Sequence, residues 1–264
     1  RDIEVLTVEQ IAGNVDYGVE TVSMTKLALY RENEENGNYY LRIGNLHRTA
    51  GDCFPNLTFP DDTWRAVWGD VRFRRAMNMA IDRESLVRDL LQDTATAAVG
   101  PIPRAFSDSF DPELAPYPYD PEAARGLIAE AGFDGAKITL YATEGGSGML
   151  DPVAMGTAIQ ADLEAVGLDV EIETYEWNTF LGIVNPGLEG KADMAEMAWM
   201  TTDPDTLPFL TLRTAAFPDQ GGFNYFVPRE NLDYDGVLKA LDSQERYKKW
   251  TLEEIRAFLS PFLR

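Results

Sequence analysis

Three carboxylates fall within ten residues of one another, Glu196, Asp203 and Asp205. Two such groups held roughly 5–10 Å apart serve a glycoside hydrolase, one protonating the leaving oxygen and one acting as nucleophile or base. The chain, however, carries 44 acidic side chains in 264 residues, so neighbouring carboxylates arise from composition alone. His47 is the only histidine and Cys53 the only cysteine, and no G-x-S-x-G elbow is present. A nucleophilic centre would have to assemble around His47 from distant residues, and one histidine with one cysteine is too few for an ordinary zinc site. Gly145-Gly146-Ser147-Gly148 lies between a strand pattern and a helix pattern, where a phosphate cradle would sit. It fits neither G-x-G-x-x-G nor G-x-x-x-x-G-K-[ST] and reads as a strand-to-helix connection. No catalytic residue, metal site or cofactor is assigned.

Recognition chemistry is better represented. Tyr175 and Trp177 leave one strand pattern, Trp199 leaves the next, and Phe223, Tyr225 and Phe226 follow. In open α/β sheets ligands gather beyond the carboxyl ends of strands, and aromatic side chains line small-molecule pockets. Core packing accounts for each of these residues equally well when taken singly. Arg72, Arg74 and Arg75 could suggest an anion patch, but a helical wheel disperses them. Phe73, Ala76, Met77, Ala80 and Ile81 form one apolar face, with Arg72 and Arg74 on its opposite flanks and Arg75 turned away. Asp70 stands at the N-cap, with Arg74 four residues on and within reach of a helix-end ion pair.

The elements that must position these residues follow from the same patterning. The formal charge is −21, with 23 basic residues, which argues against a nucleic-acid partner, since that affinity comes from Lys and Arg displacing counterions. A single cysteine excludes an intrachain disulfide. No run of about 18 apolar residues exists to form a membrane-spanning helix. Residues up to about 58 read as short strands and one helix, "MTKLALYRENEENG", followed by a strand, "NYYLRI". After the helix at 70–81 a second, short helix from Asp82 is expected to bury Leu86, Val87, Leu90 and Leu91. A proline-rich connection then leads to a helix capped by Asp120, with Pro121 in its first turn and Gly132 at its end. "KITLYAT", "DPVAMGTAIQADLEAVG" and "LDVEIETYEW" spell a β-α-β unit with a parallel strand pair and a right-handed crossover. A helix "NTFLGIV", a strand "ADMAEMAWM", a loop "TTDPDTLPFL", an aromatic segment "GGFNYFV" and a C-terminal helix pair complete the reading.

Five blocks occur in order: "DVRFRRAMNMAIDRESLV", "GPIP", "YPYDPEAARGLIAEAGF", "AIQADLEAVGLDVEIETYEW" and W-x-x-x-D-P-D. Together they closely resemble the family 5 extracellular solute-binding proteins of ABC importers, the oligopeptide-, dipeptide- and nickel-binding group, from about Gly13 to Phe262. The resemblance implies an α/β, periplasmic-binding-protein-like fold (type II, cluster C) of two lobes that close on a ligand. It implies that residues 1–58 are the terminal part of lobe I and the approach to the hinge, and 59–264 are lobe II. Full-length members are about twice this length and begin with an export signal. By that comparison this chain covers the C-terminal half and stops before the last return to lobe I.

What the resemblance implies for function is binding without catalysis. The expected ligand is an oligopeptide or another small molecule, and the expected partners are the membrane subunits of an ABC permease. A monomer is expected, in the periplasm or lipid-anchored at the cell surface. Peptide-binding members usually read W-x-x-D-Y-P-D-P, with the first aspartate able to hold the peptide ammonium. Here Trp199, Pro204 and Asp205 match, but Thr202 replaces that aspartate, Asp203 the tyrosine and Thr206 the final proline. Asp203 is then the charged contact, or the ammonium anchor is absent, while Trp199 and Tyr225 pack the ligand. An oligosaccharide would suit Trp177 and Trp199 as stacking platforms, with Asn224 and Thr201 as hydrogen-bonding groups; a nickel chelate is a further alternative. Tyr175 completes the expected ligand-binding set. A carboxylate-dependent glycoside hydrolase and a standalone interaction domain are the competing classes.

Overall fold

The structure is a computed structural model that describes residues 3–16, 18, 24–42, 48–49, 53–55, 67–100, 102–146, 149–186, 188, 192–200, 204, 206–211 and 216. Its centre is strand β3 (Lys137–Thr143). β3 pairs in parallel with β4 (Asp169–Tyr175) along its whole length, from Lys137 opposite Asp169 to Thr143 opposite Tyr175. On its other side β5 (Met194–Glu196) is also parallel, Leu140 standing opposite Met194. β2 (Cys53–Pro55) closes the sheet antiparallel to β5, giving the order β2-β5-β3-β4. A second, two-stranded ladder joins β1 (Arg48–Thr49) to β6 (Trp199–Met200).

The expected β-α-β unit is present. Helix α6 (Pro152–Ala165) crosses between the parallel strands and buries Met155, Gly156, Ile159 and Leu163. Side-chain alternation sorts the sheet into two faces. Ile138, Leu140, Val170 and Met194 share a core with Ile159 and Leu163, while Tyr141 and Ala195 turn to the opposite face with Phe180 and Val184 of α7 (Trp177–Val184).

Two further helices complete the first core. In α4 (Val71–Ala80) the Asp70 carboxylate caps the helix by accepting from the Arg72 N–H at 2.8 Å. Phe73, Ala76, Met77, Ala80 and Ile81 are all buried, as their spacing predicts. Trp68 and Phe133 meet the Phe73 ring edge-on, with centroids 5.1 and 5.5 Å away. α4 packs on α5 (Pro121–Ala131), where Asp120 accepts from the Ala123 N–H at 2.9 Å. Gly132 takes the left-handed conformation (φ 79°) that lets its N–H reach the last carbonyls of α5.

The arginines do not form an anion site. Arg72 pairs with Asp70 and donates to the Glu130 carbonyl at 3.0 Å, near the C-terminal end of α5, where a cation is favoured. Its hydrogen bond to Asp70 also holds that carboxyl below the usual carboxylate range. Arg74 does not make the expected pair with Asp70; its guanidinium donates instead to the Trp68 carbonyl. Arg75 is exposed.

Several local expectations are corrected. The opening residues form a helix, α1 (Ile3–Ile11), and the expected helix after it divides at Asn33 into α2 (Leu27–Glu32) and α3 (Glu34–Gly37), preceded by a 3₁₀ turn, Met24–Lys26. These pieces pack tightly: a Cβ at Gly13 would come within 2.3 Å of the Gly37 carbonyl oxygen, and the Tyr30 hydroxyl donates to Gln10 Oε1 at 2.6 Å. The described part of "NYYLRI" is not a strand, because its groups are spent locally. The Tyr39 hydroxyl donates to the Tyr30 carbonyl, and the Leu41 N–H to the Glu34 carboxylate. The segment from Asp82 is one helical turn (Arg83–Ser85) running into a π-helical turn (Leu86–Leu90), in which Leu86, Val87 and Leu90 are only half-buried and Leu91 alone is fully covered. "ADMAEMAWM" divides into β5 and β6, which belong to different sheets. Part of the loop after Trp199 is helix α8 (Thr206–Thr211), anchored by buried Leu207 and Thr211 at i, i+4.

Phe73 fills the α4–α5 contact without exposure. Phe73→Ala is expected to lower stability by about 3–5 kcal/mol. Arg75→Ala should stay within about 0.5 kcal/mol. Urea unfolding of both variants checks the contrast.

Candidate functional site

β3 and β4 end side by side at Thr143 and Tyr175, so whatever follows each strand emerges at one rim. The Glu144 N–H donates to the Tyr175 carbonyl at 2.9 Å, extending the ladder one step past both ends. The Thr143 hydroxyl, on a buried residue, donates to the Gly145 carbonyl at 2.7 Å and turns the chain. Gly146 then adopts φ 150°, a conformation open to glycine and strained for other residues.

Gly146 has a second requirement. A Cβ placed there would lie 2.2 Å from the Trp177 ring, so the indole rests directly on the glycine backbone. Trp177 is the first residue of α7, and the Glu176 carboxylate caps that helix by accepting from the Asn178 and Thr179 N–H groups at 2.9 and 3.2 Å. The cap fixes where the helix begins and therefore where the indole sits. Beneath it the Phe180 ring is stacked, with centroids 6.0 Å apart and planes 18° from parallel.

Tyr175 stands edge-on to buried Tyr141 at 5.0 Å, and its hydroxyl donates to Glu173 Oε2 at 2.5 Å. That hydrogen bond to an acceptor carboxylate, with burial adding to it, pushes the phenol well above its ordinary range. The hydroxyl proton is therefore held by Glu173, and the neighbouring Tyr141 hydroxyl adds to the same shift.

Of the residues predicted from sequence, Tyr175, Trp177 and Trp199 are half-buried and pack against one apolar cluster, that of Tyr141, Phe180 and Met197. The structure brings these three together around one face of the sheet. Thr201, Thr202, Asp203, Asp205, Asn224, Tyr225 and His47 lie outside the described residues, as do the aromatic segment and the C-terminal helix pair.

Glu196, which proximity in sequence grouped with Asp203 and Asp205, is only 1 % exposed. Its Oε2 lies beneath α6, at 3.2 Å from where a Cβ on Gly156 would stand. A carboxylate placed there is shut off from solvent. Asp193, which sequence reasoning missed, is buried at the start of β5. Its Oδ2 accepts from the Thr139 N–H at 2.7 Å, and its own N–H donates to the Thr139 carbonyl at 3.0 Å. Burial pushes its carboxyl up, with the Thr139 N–H and the Trp68 indole opposing that shift. No sequence signal marks Asp193, because its burial depends on a neighbour 54 residues away.

Residues 7–220 match the family described as bacterial extracellular solute-binding proteins, family 5 Middle. Over 164 residues the chain is 31% identical to di/tripeptide-binding protein 2 of Pseudomonas aeruginosa, an alignment covering 62% of this chain and 30% of that one. The dipeptide-binding protein of Pseudoalteromonas sp. SM9913, solved in complex with Met-Leu, superposes with a TM-score of 0.75 at 20% identity, over 99% of this chain and 49% of that one. NikZ from Campylobacter jejuni, in complex with Ni(L-His), superposes with a TM-score of 0.71 at 21% identity, over 99% and 50% of the respective chains. The chain thus spans about half the length of these solved structures.

Parallel strands flanked by helices, in this superposition, define the architecture as that of the periplasmic binding proteins. The chain belongs to family 5 of the bacterial extracellular solute-binding proteins.

Two outcomes are expected. Gly146→Ala should displace the Trp177 indole and alter tryptophan fluorescence, whereas the same substitution in a Trp177→Phe background should leave the remaining emission nearly unchanged. For Asp193 the folded pKa lies above the unfolded one, so its stabilising contribution is present at low pH and is lost as pH rises through the folded value. Asp193→Asn keeps an acceptor for Thr139 and cannot titrate. Its stability relative to the parent should therefore rise as pH increases above the ordinary aspartate range, about 4, followed by urea midpoints.

Proposed function

We propose that this chain is part of the solute-binding component of an ABC uptake system, acting outside the cytoplasmic membrane and without catalysis. The observation that carries the reading is the rim where β3 and β4 end. There a half-buried indole is seated on Gly146, beside the Tyr175–Glu173 pair, at the strand edge where α/β sheets take ligands. Family membership supports it, and so does the burial of Glu196, which weakens a hydrolase built on neighbouring carboxylates.

On this reading the ligand is an oligopeptide held between two lobes and passed to the permease membrane subunits by a monomeric protein. The name of the Pseudomonas relative and the Met-Leu bound in the Pseudoalteromonas structure support peptides. Trp177, Tyr175 and Trp199 then form the described part of the ligand surface. Thr201, Thr202, Asp203, Asp205, Asn224 and Tyr225 are proposed to complete it. The lobe assignment, 1–58 and 59–264, is part of the same proposal. On it the short strands β1 and β2, already paired with β6 and β5, mark the crossing between lobes.

A second reading has an oligosaccharide in the same place, favoured by the half-buried Trp177 face and by Thr202 where an aspartate would hold an ammonium. Calorimetry of the full-length protein against peptide and oligosaccharide panels separates the two. Peptides are expected to bind, and Trp177→Ala to weaken them about ten- to a hundredfold, or about 1.4–2.8 kcal/mol. Binding of sugars alone overturns the peptide reading, and turnover of any glycoside overturns the binding reading.

A further inference from the structure

Asn36-Gly37 is the only Asn-Gly pair in the chain, every other asparagine being followed by a residue with a side chain. That pairing has chemical consequences. A backbone nitrogen can attack the carboxamide carbon of the asparagine before it, and glycine leaves that nitrogen unshielded and its backbone free to turn. The pair closes α3, with Asn36 exposed to water and Gly37 buried.

The folded chain restrains this reaction. The Gly37 N–H donates to the Asn33 carbonyl at 2.9 Å, so the attacking nitrogen is engaged in a hydrogen bond. Asn36 lies within the helix, whose backbone keeps that nitrogen off the approach to the side-chain carbon. The turn is fastened beyond Gly37 as well. Asn38 adopts the left-handed conformation (φ 51°) and donates its N–H to the Glu34 and Glu35 carbonyls, and the Tyr39 N–H donates to the Glu34 carbonyl at 3.2 Å.

The surroundings of Gly37 decide what the reaction product would do. A Cβ placed on Gly37 would overlap the Ile11 carbonyl oxygen and the Tyr39 ring. A Cβ on Gly13 would overlap the Gly37 carbonyl oxygen. The ends of α1 and α3 therefore meet backbone to backbone, with no space for an added carbon.

We propose that Asn36-Gly37 is a site of spontaneous deamidation, restrained by the fold, whose isoaspartyl product cannot re-enter the contact between α1 and α3. The Gly37 nitrogen bonds to Asn36 Cγ and the Cγ–Nδ2 bond breaks. Ammonia leaves, taking up the proton that the Gly37 nitrogen gives up, and a cyclic succinimide remains. Water then adds to one of the two ring carbonyl carbons, and the bond from that carbon to the ring nitrogen breaks. Opening at Cγ leaves an aspartate; opening at the main-chain carbonyl leaves an isoaspartate, whose backbone is longer by a carbon. Nothing is oxidised or reduced, and water is the sole co-reactant. The added carbon enters directly before Gly37, where Ile11 and Tyr39 leave it no space. A converted chain loses the packing of its N-terminal helices and keeps its sheet.

Peptide mass mapping and enzymatic methyl-labelling of isoaspartate test the proposal on the full-length protein, aged folded and in urea at mildly alkaline pH. In urea Asn36 should convert ahead of the other asparagines of this chain. In the folded protein its conversion should be at least about tenfold slower, because the Gly37 amide must first leave its hydrogen bond. After return from urea, isoaspartyl chains should exchange the Gly37, Asn38 and Tyr39 amides about tenfold faster or more, while β3 amides keep their protection. Asn36→Gln, whose longer side chain closes a ring far more slowly, should pass through the same cycle unconverted and regain protection at Gly37. Freshly prepared Asn36→Asp, which adds the charge without the extra carbon, should also keep that protection. Absence of conversion at Asn36 in urea overturns the site, and equal rates in the folded and unfolded chains overturn the restraint. Full protection of Gly37 in isoaspartyl chains, or its loss in Asn36→Asp, overturns the steric consequence.

Discussion

Everything in this molecule depends on β3 being covered on both faces and both edges. Ile138 and Leu140 turn toward α4, α5 and α6, and Tyr141 turns toward α7, so the strand is buried from Leu140 to Thr143, with only its first residue, Lys137, exposed. A buried strand must satisfy every backbone N–H and carbonyl through its neighbours, here β4 along one edge and β5 along the other. That requirement sets the register, and the register brings Thr143 and Tyr175 level. The crossover helix α6 must then begin from the same rim at which β4 ends. The position of the rim is a consequence of hydrogen-bond satisfaction in the core.

The Trp177 ring is positioned by contacts that are separable from the sheet. Glu176 fixes the first residue of α7, Phe180 supports the Trp177 ring from beneath, and Gly146 removes the one atom that would push it away. A side chain held in this way has little conformational freedom left to lose in any further contact. The neighbouring Tyr175–Glu173 pair adds a polar group with its proton already committed.

Local chemistry made α4, α5 and α6 legible. Their ends are written by Asp70, by Asp120 with Pro121 and Gly132, and by Pro152, and their buried faces by spacings of three and four. Tyr175 and Trp177 were recognisable as rim residues because the end of a strand is also a local feature. "NYYLRI" has the composition of a strand but lies against α2 and α3, whose carbonyl and carboxylate groups take up Tyr39 and Leu41. Arg74 had two acceptors within reach in sequence, and folding placed the Trp68 carbonyl nearer than Asp70. The seat of Trp177 on Gly146 left no trace in the sequence beyond a glycine in a glycine-rich turn.

Periodicity, caps and the ordered motif blocks were enough, without coordinates, to determine the helices around β3, the parallel β-α-β unit and membership of a solute-binding family. These signals are carried by residues within a few turns of each other, where backbone geometry alone relates side chains. Tertiary structure alone decided that Glu196 and Asp193 are buried, that "ADMAEMAWM" serves two sheets, that Trp177 rests on Gly146, and that the Ile11 carbonyl closes over Gly37. Each of these joins groups that only packing brings together. Their burial and hydrogen bonding depend on neighbours whose arrival no short-range pattern encodes.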